Sequence, residues 1–410
     1  MLKSFKTEIS PNAEQKIMIH KSIGVCRYIY NFYLARNKEI YEQDGKFVSA
    51  FDFSKWLNNE YLPNNPDKLW IKEVSTKVVM KSILNAETAF KRFFRGQAKY
   101  PNFKKKHKAD VKVYFVKNSA NQIINCERHR IKLPKIGWVK LKEKGYIPQS
   151  KKGLFIRSGT ISYHAGRYYV SALVDIPENR EKFKEIPYTD GIGIDLGIKE
   201  LAIISNGDIY KNINKLENIK NLEKKRKRYE RAMARKLNNF KKYKNDNSDE
   251  NKKIKIENRE KIKNAKNLQK NILKIQKIHQ RITNIRNDNE NKIINKVVKT
   301  KPLFITIENL NIKGMMKNKH LAKAIAEQRW NSFITKLQRK CNLYGIELRQ
   351  VDRFYSSSKK CNKCGNIKKD LKLKDRIYKC SCCGYENDRD LNAALNLRDA
   401  TKYTTLTQFI

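Results

Sequence analysis

The chain has 410 residues, of which 40% are hydrophobic and 10% aromatic, and this composition excludes a wholly disordered protein. Lys and Arg number 90 against 41 Asp and Glu, so the net charge is +49. Because binding a polyanion would neutralise the repulsion between these charges, nucleic acid is the expected partner. The alternative is a basic surface that is merely solvated. No stretch approaches the roughly 18 to 20 apolar residues of a membrane span, and the first residues lack the apolar core of a signal peptide.

The N-terminal sequence predicts one strand, over residues 1–9, and then a helical unit over residues 10–96. Ser10 and Pro11 are typical of a helix start, with serine as the N-cap and proline at the first helical position. Apolar residues then recur at helical spacing in three stretches, and Gly45 ends the first. The residues expected to line the buried face of the third helix are Val79, Ile83, Ala86, Phe90, Phe93 and Phe94.

From about Val111 to Ile176 the hydrophobic period changes to two, with turn signals between short stretches. This pattern predicts a small β-barrel or sandwich. Basic and aromatic residues interleave on these strands; exposed, they would suit single-stranded nucleic acid, whereas alternating aromatics more often form barrel core. The residues concerned are Arg128, Lys132, Lys140, Tyr163, Arg167, Tyr168 and Tyr169.

Residues 190–204 predict an apolar β-hairpin around a glycine-rich turn. Residues 211–300 hold 29 Lys and Arg against 10 Asp and Glu, a net charge of +19, and contain neither proline nor glycine. Apolar residues recur at helical spacing in their second half. We expect a long basic helical hairpin, broken near residues 244–251, which is either a solvated feature or a clamp for a duplex.

The last third of the chain alternates strands and helices. Residues 302–310 predict a buried strand with an acid near its end, and residues 330–344 predict a helix. An alternating strand is expected over 346–354, and a short helix over 391–398. The C-terminal tail shows little evident structure.

Two Cys-x-x-Cys-Gly turns separated by 15 residues predict a zinc ribbon. Each turn places two sulfurs on one ion, and the glycine permits the backbone to turn sharply behind them. The expected ligands are Cys361, Cys364, Cys380 and Cys383, and tetrahedral zinc leaves no room for Cys382. Because no ligand position is left open for water, the ion is expected to be structural. This use of cysteine favours a reducing cytoplasm over a disulfide framework.

Three acids form a second constellation. Asp195 lies inside an apolar strand, Glu308 near the end of another, and Asp390 at the start of a helix. Each alone could be a cap or an ion-pair partner, and Asp390 could be an N-cap. Together they could hold two Mg²⁺ ions, which would activate a water molecule and stabilise the leaving oxygen of a phosphodiester. In a chain of charge +49 this combination suggests a nuclease of the RNase H-like class.

The motifs GIGIDLG, TIENLNIKGMMKN, HLAKAIAEQRW, DRFYSSSKKCNKCG and CSCCGYENDRDLNAALNL strongly resemble the TnpB family. These proteins are RNA-guided nucleases of bacterial and archaeal insertion sequences, related to type V CRISPR effectors. The resemblance continues to the N-terminus in stretches such as GVCRYIYN and FRGQAKYPNFKKK. It implies that Asp195, Glu308 and Asp390 are a RuvC-type catalytic triad, with Asp388 as the weaker choice for the third acid.

The resemblance also implies a multidomain α/β fold plus a β-barrel. An RNase H-like (RuvC) nuclease domain would carry an inserted zinc ribbon, and an N-terminal β-barrel (wedge) domain would carry an inserted helical recognition domain. The expected boundaries are 1–9 and 108–185 for the wedge barrel, 10–107 for the recognition domain, 186–355 for the nuclease domain with its basic insert at about 211–300, 356–386 for the zinc ribbon and 387–410 for the C-terminal part of the nuclease domain.

The function implied is that of a cytoplasmic, nucleoid-associated endonuclease encoded by a transposable element. It would use a guide RNA from the element's end, cut double-stranded target DNA beside a short motif, and require two catalytic Mg²⁺ ions and one structural Zn²⁺. One rival is an RNA-guided DNA-binding repressor without nuclease activity, which loss of an acid would favour; none is lost. Another is an actin-like ATPase or sugar kinase, which also begins with a GIDLG hairpin but needs further glycine-rich nucleotide motifs. The older label transposase implies strand transfer, for which no recombinase signature is present.

Overall fold

Two units make up the chain, Met1–Glu178 and Asn179–Ile410, each built on a six-stranded sheet. The computed structural model describes residues 2–106, 111–116, 124–150, 154–176, 190–238, 262, 265–372 and 375–407. No helix in this part of the chain combines the length and apolar character that crossing a membrane requires.

The first unit contains an antiparallel sheet that closes into a barrel. Its strands are β1 (Leu2–Ser10), β2 (Val113–Val116), β3 (Arg130–Leu133), β4 (Gly137–Leu141), β5 (Phe155–His164) and β6 (Arg167–Asp175). They are ordered β2-β5-β6-β1-β4-β3. The segment 124–126 links the ends of this order, since Ile124 forms an isolated bridge with Ile156 of β5 and Cys126 forms one with Ile131 of β3. Alternate residues of β6 are buried, so the period of two in the sequence is that of a half-buried strand.

The helices of the first unit lie between β1 and β2 in the chain. They are α1 (Ala13–Asp44), α2 (Ala50–Trp56), α3 (Leu62–Asn64) and α4 (Thr76–Phe94), with a π-helical turn at Leu57–Tyr61 and a 3₁₀ helix at Pro66–Glu73. Their apolar faces share one hydrophobic core with the barrel. The predicted helical unit is therefore an insertion between two barrel strands.

The start of α1 differs from the prediction. Ser10 still belongs to β1, where it pairs with Lys140, so the prediction that it caps the helix is wrong. Asn12 is the N-cap: its side chain accepts a hydrogen bond from the Gln15 N–H, and the Gln15 side chain accepts one from the Asn12 N–H. Gly45 ends the helix at φ 65°, as predicted.

The second unit contains a mixed sheet. Its strands are β7 (Ile192–Asp195), β8 (Glu200–Ile204), β9 (Ile209–Lys211), β10 (Phe304–Ile307), β11 (Glu347–Gln350) and, from the C-terminal tail, β14 (Thr404–Thr405). Their order is β14-β11-β10-β7-β8-β9. β7, β10 and β11 are parallel to one another, while β7 and β8 form the predicted hairpin.

Two long helices form the basic insert of the second unit, α5 (Glu217–Asn238) and α6 (Lys266–Lys299). They pack together through apolar residues that include Ile219, Ile278 and Ile282. The C-terminal part of α6 instead buries residues such as Val297 in the core beneath the sheet. Both predicted helices are thus present; the predicted break at 244–251 lies outside the described residues.

The remaining elements surround the sheet and the cysteine segment. They are α7 (Ile312–Met315), α8 (Ala322–Gln328), α9 (Trp330–Tyr344), α10 (Arg389–Arg398) and the hairpin of β12 (Ile377–Lys379) with β13 (Glu386–Asp388). The strand predicted over 346–354 is only the four residues of β11, because the chain turns after Val351. The tail, where no structure was expected, pairs with β11 through β14.

One burial prediction is wrong, and a second helix shows the same effect. Phe94, predicted to be buried, is 58% exposed, and Tyr344 is 50% exposed, although both continue an apolar helical stripe. Each is the last residue of its helix, α4 or α9, where the stripe extends past the core that the preceding turns fill.

Candidate functional site

Two of the predicted acids lie at one edge of the sheet. Asp195 is the last residue of β7, and Glu308 follows the last residue of β10. These strands are parallel neighbours, with Ile194 opposite Ile307. Since parallel strands end at the same edge, the two carboxylates leave the sheet side by side. Both side chains are partly buried.

The third acid reaches the same edge because α10 lies directly on β7. Gly193 makes this contact possible: a Cβ there would lie 2.0 Å from the carbonyl oxygen of Ala394 and 2.5 Å from the backbone nitrogen of Arg398. No side chain other than hydrogen fits between strand and helix. Asp390, in the first turn of α10, is thereby held near Asp195. A glycine inside a strand, rather than in a turn, is the sequence signal for this approach, although the contact was not predicted.

The three carboxylates repel one another. Burial raises the pKa of Asp195 well above its usual range, and the charges of Glu308 and then Asp390 raise it further, while Arg389 acts in the opposite direction. Burial also raises the pKa of Glu308. Among the described residues, no basic side chain lies within 4.0 Å of the Asp195 or Glu308 carboxylate. The Arg376 guanidinium is 3.7 Å from Asp390, so the site keeps an excess of negative charge.

Asp388, the alternative third acid, has a different role. Its carboxylate accepts hydrogen bonds from the N–H groups of Asp390 at 2.9 Å and Leu391 at 3.0 Å, so it is the N-cap of α10. The expectation that Asp390 could itself cap the helix is therefore wrong. Asp390 lies inside the first turn, and its carboxylate is not engaged by the helix end.

Two buried asparagines on α10 attach the cysteine segment to the helix. The Asn396 side chain donates to the carbonyl oxygens of Ser357 at 2.7 Å and Lys360 at 2.6 Å. Asn392, one turn earlier, donates to Lys360 O at 2.8 Å and accepts from the N–H of Asn362 at 3.2 Å. Residues four apart share one helix face, which is why both reach the same loop. No role was predicted for these residues; two asparagines at this spacing among alanines and leucines were the available signal.

Ser357 connects this loop to the acids. Its hydroxyl donates a hydrogen bond to the Glu308 carboxylate, and this bond lowers the pKa of Glu308 against the larger effect of burial. The side chain of Ser357 is buried, 4% exposed. Ser357 is thus a site residue; the motif DRFYSSSKKCNKCG contains it, but nothing in the sequence pointed to this role.

The four predicted zinc ligands form one cluster. The sulfurs of Cys361, Cys364, Cys380 and Cys383 all lie within 4.8 Å of one another. Cys361 and Cys383 are 3.7 Å apart and Cys364 and Cys380 are 3.6 Å apart, close to the ~3.8 Å edge of a tetrahedron with Zn–S bonds of ~2.3 Å.

The surroundings of the cysteines also fit a metal. Hydrogen bonds from the backbone of Cys383 and then Cys382 help lower the pKa of the Cys380 thiol to about 6, whereas the pKa of the Cys364 thiol, despite a backbone hydrogen bond at Asn366, is raised to about 12 by hydrogen bonds with Cys383 and the other thiols. Gly365 and Gly384 have φ of 77° and 70°, as expected for the residues behind each turn. The Cys382 side chain is exposed and is not a member of the cluster. No second cluster of this type occurs among the described residues, so the three acids do not form a closed ligand set by themselves.

The interleaved residues of the barrel divide between core and surface. Tyr168 is 9% exposed and belongs to the core, whereas Tyr163 is 40% exposed. Arg128 and Lys140 line an open cavity of about 450 Å³ whose other basic walls are His129 and Lys144. The remaining three, Lys132, Arg167 and Tyr169, are exposed or partly so.

Comparisons with known proteins agree with these motifs. A family model described as "Cas12f1-like, TNB domain" matches residues 330–397, and one described as "Helix-turn-helix domain" matches residues 1–46. A protein of Escherichia coli (strain K12) named "Putative RNA-guided DNA endonuclease InsQ" is 27% identical over 411 residues, which cover 97% of this chain and 91% of that protein. The "TnpB-like protein L79" of Acanthamoeba polyphaga mimivirus is 33% identical over 129 residues, covering 30% of this chain and 24% of that protein.

The chain is therefore similar to proteins of the TnpB family. In this protein, the described residues of the matched stretch 1–46 form strand β1 and the single long helix α1 rather than two helices joined by a turn. Its fold is similar to that of a chain in the "Cryo-EM structure of the Cas12f1-sgRNA-target DNA complex", with a TM-score of 0.55 and 14% identity. That match covers 98% of this chain and 99% of the other, and it concerns the fold alone.

Proposed function

We propose that the chain is an RNA-guided DNA endonuclease of a transposable element, which hydrolyses DNA with the help of Mg²⁺ next to a short motif. The observation that carries the proposal is the meeting of Asp195, Glu308 and Asp390 at one sheet edge, in a chain of charge +49. Burying these acids without a basic partner at Asp195 or Glu308 costs free energy unless a cation neutralises their charge. The names of the relatives, which describe RNA-guided DNA endonucleases, support the same class.

The three carboxylates are the residues that would hold Mg²⁺, because this small, hard cation prefers oxygen ligands. When bound, Mg²⁺ would lower the pKa of a water molecule and stabilise the leaving oxygen of the phosphodiester. Asp195 and Glu308 would hold their places through the parallel pairing of β7 and β10. Ser357 orients Glu308 by its hydrogen bond, and the packing of α10 on β7 sets the position of Asp390.

The four cysteines would hold one structural Zn²⁺, which fits their sulfur spacing. All four are protein ligands, so the ion would have no open position for a substrate. Its role would be to fold the segment at 356–386 and present Ser357 and Lys360 to the asparagines of α10.

We further propose the division into domains given by the family resemblance. Residues 186–355 and 387–410 would form the RNase H-like (RuvC) domain, with the zinc ribbon at 356–386 between them. The barrel at 1–9 and 108–185 would be the wedge domain, and 10–107 the recognition domain. The mixed sheet with three parallel strands and the insertion of helices between β1 and β2 support this division.

The partners would be a guide RNA from the element's end and double-stranded target DNA, met in the cytoplasm at the nucleoid. Pairing with the guide would select the sequence, while the protein would read the adjacent motif and the shape of the heteroduplex. The basic cavity formed by Arg128, His129, Lys140 and Lys144 is one place in the first unit where phosphate groups could bind.

The proposal is tested by isolating the protein from cells that carry its flanking DNA, and sequencing the RNA that accompanies it. One abundant RNA from the element's end, followed by Mg²⁺-dependent cutting of a matching DNA, is the expected result. Asp195→Ala should abolish cutting while leaving guided DNA binding intact. Glu386→Gln is the matched control, since this exposed acid of β13 pairs only with Lys379, at 3.2 Å, among the described residues.

Three other outcomes of this experiment would each contradict a different part of the proposal. Guided binding without cutting by the unmodified protein would favour the rival, a nuclease-inactive repressor. The absence of any enriched RNA would overturn the guided class altogether. Loss of binding in Asp195→Ala would assign that acid a structural role and remove the basis for the metal site.

A further inference from the structure

Phe354 is the most exposed large apolar side chain among the described residues, at 87% exposure. It lies in the connecting loop, residues 351–357, which joins β11 to the first zinc turn. Ser357, at the end of the same loop, donates its hydrogen bond to Glu308. Three residues of extended chain span at most about 11 Å, so the backbone of Phe354 lies within that distance of Ser357 and close to the acid site.

The connecting loop holds Phe354 in a defined position. The Asp352 side chain accepts a hydrogen bond from the Phe354 N–H at 2.9 Å, and the Asp352 carbonyl accepts one from the Tyr355 N–H at 3.1 Å. Tyr355 packs into a small core with Leu397, and its hydroxyl donates to the carbonyl oxygen of Asn396 at 2.8 Å. Tyr355 is therefore anchored, and the turn closed by Asp352 presents the Phe354 ring to solvent.

The surroundings of the ring favour nucleic acid over protein as its partner. Its neighbours Arg353 and Lys359 are exposed cations, and Arg376 lies beside Asp390. A protein partner would require a contiguous apolar patch, which this polar loop does not offer: beside Phe354 it carries the acid Asp352 and the base Arg353. A single exposed aromatic ring next to an arginine in the chain is instead the kind of side chain on which the bases of single strands stack.

We propose that Phe354 stacks on an unpaired base of the DNA strand being cut, beside the scissile phosphodiester. In a duplex both faces of each base are covered by neighbouring bases, so this contact would make the site prefer unpaired DNA. The ring would thereby place the backbone of the bound strand against the three acids. This inference rests on the proposed nuclease function.

The test uses the full-length protein in complex with its copurified guide RNA, in an Asp195→Asn background to prevent cutting. Target DNA carries 2-aminopurine at single positions through the region of the cut, since this base loses fluorescence when it stacks. We expect quenching at one or two positions, lost in Phe354→Leu and Phe354→Ala and kept in Phe354→Trp. Tyr344→Ala, which removes an aromatic ring 50% exposed on α9, is the matched control and should keep it.

The same substitutions in the active protein should lower the single-turnover cleavage rate by roughly 5- to 100-fold for leucine and alanine, the range expected for loss of one base stack. Tryptophan should stay within about threefold of the parent. Quenching that persists in Phe354→Leu would overturn the inference, because leucine is apolar but cannot stack.

The remaining outcomes separate this inference from the function on which it rests. If the parent complex binds and cuts its target while all Phe354 variants behave like it, only the stacking role fails. If Phe354→Leu also loses target binding and melts at lower temperature, the ring is structural and the inference fails. If the parent complex does not bind its target, the guided function fails and the inference fails with it.

Discussion

The Ser357 hydroxyl donates a hydrogen bond to the Glu308 carboxylate, and the Ser357 carbonyl accepts one from Asn396 on α10. A single residue thus joins the acid that follows β10 to the helix that carries Asp390. Burial raises the pKa of Glu308, and the Ser357 bond partly offsets that rise. The ribbon side of the molecule therefore contributes directly to the geometry and charge of the acid site.

Replacing Ser357 by alanine should weaken Mg²⁺ use without unfolding the protein. Glu308 would lose a charge-assisted hydrogen bond, worth about 1.5–3 kcal/mol, so its pKa should rise and the Mg²⁺ concentration for half-maximal cutting should increase by roughly tenfold or more. Ser357→Thr should restore most of the activity, and Ser356→Ala is the neighbouring control. Unchanged Mg²⁺ dependence in Ser357→Ala would show that the bond does not position Glu308.

Replacing Asp195 by asparagine should stabilise the metal-free protein at neutral pH. The raised pKa means that the folded chain holds this proton more tightly than the unfolded chain, so the contribution of Asp195 to stability falls as pH rises above the ordinary carboxyl range. Asparagine mimics the protonated form, and we expect a Tm gain of about 2–4 °C for each kcal/mol of relieved repulsion, shrinking toward pH 4. Thermal melts at pH 4 and 8, with and without Mg²⁺, would check this; Mg²⁺ should raise the Tm of the unmodified protein more than that of the variant.

Substitutions should distinguish the roles of Asp388 and Asp390, the two acids on either side of Arg389. Asp388→Ala removes the N-cap of α10 and should cost about 1 kcal/mol of stability, with cleavage reduced only modestly. Asp388→Asn should be nearly neutral, because asparagine also caps well. Asp390→Asn should not destabilise the protein, since it relieves repulsion with Asp195, and it should abolish cleavage. The reverse pattern in melts and cleavage assays would exchange the roles of the two acids.

Gly193→Ala should displace α10 from β7. The new methyl group would meet the Ala394 carbonyl oxygen at 2.0 Å, backbone that cannot move without shifting the helix, and overpacking of this kind costs about 1–3 kcal/mol or more. Cutting should fall further than stability does, since Asp390 moves with the helix. Gly24→Ala is the matched control: no atom lies within 4 Å of its Cβ position in α1, so it should stabilise the protein by up to about 1 kcal/mol.

Cys364→Ser should remove the metal from the ribbon. The variant should bind less than one equivalent of zinc by metal analysis, melt at lower temperature and cut poorly, because the loop that carries Ser357 depends on that fold. Cys382→Ser, at an exposed sulfur outside the cluster, should keep one equivalent and the Tm of the parent. Loss of zinc in both variants would contradict the assignment of the four ligands.

The sequence by itself determined the parts of this protein whose signal is local. The four sulfurs are brought together by two short turns, so their spacing along the chain was sufficient to predict the cluster. Helices such as α6 and α9 follow from apolar residues at helical spacing, and β7 and β8 from the apolar hairpin. Asp195, Glu308 and Asp390 stood out as acids in or beside apolar elements, and family motifs indicated their grouping.

Only the tertiary structure decided the contacts between distant segments. Ser10 looked like a helix cap until its pairing with Lys140 placed it in β1. Ser357, Asn392 and Asn396 are ordinary polar residues in the sequence, and their roles arise because α10 meets the loop before the zinc turn. Gly193 matters because a helix from the far end of the chain rests on it. Local patterns reflect the propensities of neighbouring residues, whereas these interactions join residues more than 30 positions apart, whose proximity exists only once the sheet and helices have packed.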